Sequence, residues 1–467
     1  MSDNHTVEKY IESYPFLQYI NDNHGQYKHA REAGYKDPND LFMIGESGGF
    51  LLDIRKGDKF VNTNLLTEMA SLYHINGEKY TLYKEDSIPH RQLRKREEYR
   101  RKHGFDAPCF MRNGEVRNLH ISGDMYNYLN YTIIEQLDEK TIIHTDRGSV
   151  AKKKQDFPKF IDAQFWTFAI IEFCELNGFH LLIDKTRRGG FSYIMASHSA
   201  NKINLQPNKV CIHVAADSKY LTKRGGLTDF TIRNLYFYEN KTFFKRGILS
   251  RAAENFTLGF KLPNGDISPN SWNSALFSAS ANNNPDCAIG KDAVSVKTEE
   301  VSTMENFDEY MNVTEPAMRT GSYVTGNLFA WGTATSGNMQ TFERNFYNPS
   351  AFHFIAFENV WDKDSRNEVC GYFKPYCWGL QGQIGDRYAM DADGNSDIEM
   401  GLRIAYKERT DKKVHSKTFS DYINYLGQYA NMPSESFSST SENLFSSEAL
   451  MNWEEVLKND PAYTNIS

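Results

Sequence analysis

The chain has 467 residues, enough for two or three domains whose core needs no staple, and its 40% hydrophobic and 24% charged residues are those of a globular protein. A net charge of −7 excludes a uniformly basic nucleic-acid coat while leaving room for a local basic groove. No run approaches the roughly 18 apolar residues of a membrane span, the opening MSDNHTVEKY lacks a signal peptide's order, and the cysteines have neither paired nor zinc spacing, so a reducing cytoplasm is expected.

Residues 1–150 alternate short periodic stretches with Gly and Asn turns and read as an N-terminal accessory region. Within it HRQLRKREEYRRKHG, residues 90–104, is a basic helix. Its Arg94, Lys95, Arg100 and Arg101 are weak candidates for DNA contact, and the plainer reading is a solvated face with Glu97 and Glu98 as internal partners.

From residue 151 the pattern changes. A helix is expected over 161–176, stopped by Asn177-Gly178, followed by a buried strand over 179–183. On that helix and just before it lie Phe160 and Gln164, placed to stack on an adenine and read its edge, or equally to be core residues. Further strands are expected over 210–215, 293–296, 328–331 and 352–357, alternating with helical or polar segments. That alternation implies a parallel α/β sheet with ligands at its carboxyl edge.

The first strand runs into DKTRRGGFS. A phosphate loop of the pattern Gly-x4-Gly-Lys-Ser/Thr wraps phosphates in backbone amides, sets a lysine on the terminal ones and gives a hydroxyl to magnesium. Here Lys185 stands first, Thr186, Arg187, Arg188 and Gly189 follow, Gly190 is the second glycine, Phe191 occupies the lysine position and Ser192 supplies the hydroxyl. The missing charge therefore has to come from Lys185, Arg187 or Arg188.

The strand at 293–296 leads to Glu299 and Glu300, which suits a metal-organising acid beside a water-activating one. The strand at 328–331 ends in Gly332, Thr333, Ala334 and Thr335, a small-hydroxyl turn of the kind that senses a terminal phosphate. DADGNSD, residues 391–397, lacks the glycine and glutamate of an EF-hand and reads as a polar turn. The Ser-rich acidic stretch over 431–467 reads as a linker.

Taken in order, DKTRRGGFS, VKTEEVSTMENFDEYMNVTEPAMRTG, FAWGTATSG and TFERNFYNPSAFHFIAFENVW with CGYFKPYCWG resemble the large terminase subunit of tailed bacteriophages, in its packaging ATPase. HISGDMYNYLNYTII, residues 120–134, resembles the segment that precedes that ATPase. The resemblance implies a P-loop NTPase core, a RecA-like/ASCE parallel sheet flanked by helices, over residues 151–430, with 431–467 leading toward a nuclease domain that the chain lacks. It also implies ATP and Mg2+ as cofactors and, as partners, double-stranded DNA, a portal protein and a small terminase subunit, with a homo-oligomeric ring on the portal in the host bacterial cytoplasm.

On that resemblance Glu300 is the catalytic base, Arg187 a finger-like residue, Ser192 and Glu299 hold the metal, Lys185 is the displaced loop cation, and Gly332, Thr333 and Thr335 couple hydrolysis to movement. Phe191, and Glu299 where aspartate is commoner, depart from the family pattern. The alternatives are a catalytically silent P-loop scaffold and a helicase-like DNA-remodelling ATPase.

Overall fold

The computed structural model describes residues 2–17, 27–52, 59–68, 83–110, 115–145, 148–187, 189–252, 254–282, 284–288, 290, 292–333, 339–362 and 368–438. Its architecture is mixed α/β, built on one eight-stranded sheet flanked by helices. No helix among the described residues is long and apolar enough to cross a membrane.

Before residue 151 lie α1 (Ser2–Glu12), α2 (Ile88–His103) and α3 (Gly123–Tyr131). Ser87 accepts the His90 N–H at the start of α2, a proline sits in its first turn, and Gly104 ends it. Short strands at 28–29, 42–44 and 50–52 join strands at 357–358 and 369–370 in a second sheet, so the two ends of the chain share a fold. Helix α1 is also tied to a late helix, Ile398–His415. Glu8 pairs with Arg403 at 2.7 Å, and the rings of Tyr10 and Tyr406 lie 5.0 Å apart.

The central sheet begins after α4 (Asp162–Asn177), whose apolar residues run round all sides of the helix and are buried accordingly. Gly178, in the left-handed region at φ 75°, returns its N–H to Cys174 and turns the chain into β1 (Leu181–Lys185). Then come α5 (Phe191–Leu205), β2 (Val210–Ala215), α6 (Leu227–Lys241), β3 (Ile248–Ala252), β4 (Asn255–Leu258), β5 (Ala275–Ser280), β6 (Ser295–Glu299), α7 (Phe307–Ala317), β7 (Asn327–Gly332), α8 (Met339–Phe346) and β8 (Tyr372–Lys374). Helices α9 (Ile398–His415) and α10 (Phe419–Gln428) close the body.

The strand order is β3-β4-β5-β2-β6-β7-β1-β8, parallel from β5 to β8 with β3 and β4 added antiparallel at one edge. One strand, β7, separates β1 from β6. The carboxyl ends of all three therefore meet, and α5 starts there.

Several expectations change. The strand expected over 352–357 is instead a 3-10 turn, Pro349–Phe352, and then a two-residue strand, Phe357–Glu358, in the second sheet. Pro349 and the left-handed His353 interrupt the extended run, which pairs toward the central sheet, among the described residues, only through a single parallel bridge of Phe354 with His180, just before β1. The linker expected from residue 431 begins as part of the packed body. Glu435 grips Arg409 through both carboxylate oxygens, at 2.7 and 2.8 Å, and Phe437 packs on Phe342 and Phe346. Residues 439–467 lie outside the described residues. The polar turn over 391–397 is present, with Asp391 accepting the backbone N–H groups of Asp393 and Asn395.

The basic helix is corrected too. Arg101 is 1% exposed, with its guanidinium 4.2 to 5.1 Å from the ring centres of Phe244, Tyr238 and Tyr131. It donates to Asn127 and Asn201 from Nε and to Asn204 from Nη1. It is therefore a core residue bonding α3 to α5, because an aromatic box with amide acceptors holds a weakly hydrated guanidinium. Arg94 pairs with Glu98 and Arg100 with Glu68, which leaves Lys95 as the exposed member of the four.

Replacing Arg101 with Ala removes several charge-assisted bonds and leaves three amide acceptors buried, at a cost on the order of 3 kcal/mol. Thermal unfolding should show a large drop for Arg101→Ala and almost none for Lys95→Ala. Equal melting temperatures for the two variants would contradict the assignment of Arg101 to the core.

Candidate functional site at the carboxyl edge of the sheet

Groups from three neighbouring strands meet where β1 ends. Lys185, the last residue of β1, extends its ammonium to the Glu300 carboxylate at 2.8 Å and to the Thr333 hydroxyl at 3.1 Å. Both partners of the ion pair are mostly buried, 11% and 19% exposed. Screening there is weaker than at the surface. The three residues come from β1, the end of β6 and the end of β7, and only the sheet order brings them together.

Further along the loop Thr186 is buried and Arg187 is exposed, with the Arg187 backbone N–H held by the Gln428 carbonyl of α10 at 3.0 Å. Arg188 lies outside the described residues. Gly190 has φ 75°, which disfavours any residue with a Cβ, and its carbonyl accepts the N–H groups of Tyr193 and Ile194 to open α5. Gln164 comes close to this glycine: a Cβ there would sit 3.3 Å from the Gln164 amide nitrogen. The N–H groups of the first turn and the positive end of a fifteen-residue helix are features that suit an anion.

Phe191 opens α5 but points inward. It is 2% exposed and belongs to the same apolar cluster as Ile183, Ile194 and Trp331. The residue at the lysine position is thus a core side chain. Phe160 is also in the core, its ring 4.6 Å from that of Phe60, so it is placed for packing and not as an open stacking face.

The Ser192 hydroxyl donates to Glu299 Oε1, while Glu299 Oε2 is buried with no hydrogen-bond partner among the described residues. Burial pushes the Glu299 carboxyl up to about 7, against the opposing pull of Ser192 and Lys185. A hydroxyl beside a carboxylate with an unused, buried oxygen is a hard-oxygen donor set, and it fits Mg2+. Glu300 is held in the left-handed region at φ 52° by Thr303, whose N–H and hydroxyl both bond the Glu300 carbonyl. Such strain in a non-glycine residue concentrates at functional positions. Gly332 faces the Ser302 backbone closely enough that a Cβ would lie 3.1 Å from its nitrogen, and the Thr333 carbonyl accepts the Ser302 hydroxyl. Thr335 lies outside the described residues.

Two further polar groups near the sheet escape sequence reasoning. Asp184 is fully buried, neither oxygen has a hydrogen-bond partner among the described residues, and burial raises its carboxyl to about 8 despite nearby Ser436 and Lys185. The cluster of Asp124, Glu175 and His198 brings metal-ligating atoms within 4.8 Å of one another. Lys202, 2.7 Å from Glu175, already supplies its positive charge.

No family model matches the chain, and no curated protein matches it. Among solved structures it is similar to the large terminase ATPase domain of Thermus phage P74-26, at 11% identity and a TM-score of 0.32, covering 54% of this chain and 87% of that one. An arginine-to-alanine mutant of that domain gives 10% and 0.33 at the same coverage. The large terminase of bacteriophage HK97 gives 10% and 0.35, covering 59% of this chain and 51% of that one. Likeness at this level carries no weight for function, and the chemistry of the site rests on its residues.

Asp184 has a testable consequence. Its folded pKa is raised above the unfolded value of about 3.9, so the folded carboxyl stays protonated where the unfolded one ionises. The stability it contributes is complete below the unfolded value and is lost as pH rises through about 8. The groups facing it, Lys185, Asp362 and Ser436, are unchanged in Asp184→Asn. The melting temperature of that variant should therefore gain on the parent's as pH rises from about 5 to about 8. A difference that stays constant over that range would show that Asp184 is ionised in the fold.

Proposed function

We propose that this chain is an ATP-hydrolysing motor of the terminase type, which translocates double-stranded DNA into a phage procapsid. The observation that carries the reading is the Lys185 ammonium, set between Glu300 and Thr333 beside the Ser192–Glu299 pair at the amino end of α5. That is a cation for the terminal phosphates, a base for the attacking water and an oxygen set for magnesium, all at the carboxyl edge of a parallel sheet. We read the sheet as the P-loop, RecA-like core that the sequence motifs imply.

In this reading the amides of Gly189 to Ser192 receive the β-phosphate, and Lys185 moves from Glu300 to the terminal phosphate. Arg187, exposed at the loop, is free to reach the same charge. Ser192 and Glu299 would hold Mg2+, which when bound neutralises charge on the β- and γ-phosphates. Glu300, released from Lys185, orients the water and accepts its proton as the oxygen attacks the γ-phosphorus, and ADP leaves as inorganic phosphate forms. Loss of the phosphate is felt at Thr333 through the Lys185 hydrogen bond, which gives Gly332 and Thr333 their coupling role.

DNA, the portal and a small subunit are the partners this function calls for, with a ring of copies acting in the host cytoplasm. Contact with DNA would be to phosphates, since a packaging motor has to ignore sequence.

Replacing the base should separate binding from chemistry. Glu300→Gln should lose about 10²- to 10⁴-fold in phosphate release while still binding nucleotide. Glu299→Gln should weaken magnesium-dependent binding as well. Lys185→Ala should lose a charge-assisted phosphate contact of about 1.5–3 kcal/mol. Phosphate release with DNA and magnesium, paired with calorimetric nucleotide titration, reads all three. Absence of turnover in the parent would favour the silent scaffold, and parent-rate turnover in Glu300→Gln would remove it as the base.

A further inference from the structure

Strands β6 and β7 run parallel with Glu299 directly opposite Trp331. Paired residues project to the same side of a sheet, so the carboxyl and the indole share one face. Both are inside the protein, Glu299 5% and Trp331 0% exposed. Glu299 Oε1 is taken by Ser192, whereas Glu299 Oε2 and Trp331 Nε1 are buried and neither makes a full hydrogen bond among the described residues, although the indole is near enough to favour the ionised Glu299 carboxylate against its burial.

An unmatched acceptor and an unmatched donor on adjoining strands are each unfavourable in a low-dielectric interior. An indole nitrogen can only donate and an ionised carboxylate can only accept, so each supplies what the other lacks. A phenylalanine would fill this apolar cluster as well, which leaves the N–H as the feature specific to tryptophan.

We propose that Trp331 is a positioning residue for the candidate magnesium site, its indole N–H fixing the orientation of the Glu299 carboxylate. The inference rests on Glu299 being the metal-organising acid. A carboxylate oxygen has two lone pairs, so Oε2 accepts the indole on one and keeps the other for the metal or its water. With Ser192 on Oε1 and the indole closing onto Oε2, the carboxylate would be held from both sides and kept from swinging away from the loop. Outer-shell donors of this kind are worth about 10- to 100-fold in metal affinity.

The test uses Trp331→Phe in the full chain, with nucleotide titrated calorimetrically in the absence and presence of magnesium. Metal-free nucleotide affinity should stay within about 2-fold of the parent's, while the magnesium needed for half-maximal effect should rise by about 10-fold or more. An unchanged magnesium requirement overturns the proposal. So does an equal loss with and without metal, which marks a packing role alone. Glu299→Gln, measured alongside, separates the two levels. If it leaves the magnesium requirement unchanged, the metal reading itself fails. If it raises the requirement and Trp331→Phe does not, only the positioning role fails.

Should Trp331→Phe not fold, the parent's six tryptophans can be followed as ¹⁵N-indole resonances. One N–H resonance should shift when magnesium joins bound nucleotide, and should not shift in Glu299→Gln. No such resonance in the parent would contradict the proposal.

Discussion

A phenyl ring buried at the first turn of a helix cannot bring charge to a phosphate, and the rest of the site is arranged around that constraint. Phe191 is committed to the core beneath α5. A cation that the fold does set at this edge is Lys185, at the end of β1, where its ammonium lies among an acid and a hydroxyl from two other strands. Moving the cation from the helix to the strand changes its partners. A lysine on β1 lies level with the ends of β6 and β7, and so touches Glu300 and Thr333 at once.

The sheet order makes this possible. With β7 inserted between β1 and β6, Asp184 is paired with Gly332 and Glu299 with Trp331, so the loop, the acids and the small-hydroxyl turn lie in register on neighbouring strands. Behind them α5 is anchored to the N-terminal region by Arg101 and its amides, and the Gln428 carbonyl of α10 holds the loop at Arg187. The regions on both sides of the core are thereby joined to the helix and the loop that would contact nucleotide.

Much of this was legible in the sequence because it is local. The strand at 210–215 is apolar except for His213 and bounded by polar turns, and its expected limits match those found. Helix α4 falls within one residue of expectation, since Gly178 marks its end. The loop, the Glu pair and the Gly-Thr turn could each be placed at a strand's carboxyl end, although Glu299 and Gly332 prove to be the last residues of their strands, and β6 lies two to three residues beyond its expected limits. What was not legible is long-range. The Lys185–Glu300 bond spans 115 residues, and nothing near either residue states which of three cations would make it. Arg101 stands in a run of charges and reads as one of them, because its aromatic box is assembled from residues 30 to 143 positions away. The strands β3 to β5 escaped notice because they are short and mixed, as in Ala275–Ser280, where Leu276 and Phe277 are followed only by serine and alanine.

The central claim is that Lys185 takes over the phosphate contact from the position filled by Phe191. Its most direct test is a crystal structure of the full chain with magnesium and a non-hydrolysable ATP analogue. The account predicts the terminal phosphate within hydrogen-bond reach of Lys185 Nζ, the Lys185–Glu300 bond broken, and Phe191 still buried. Phosphates bound away from the loop, or a Lys185–Glu300 pair intact beside bound nucleotide, would contradict it.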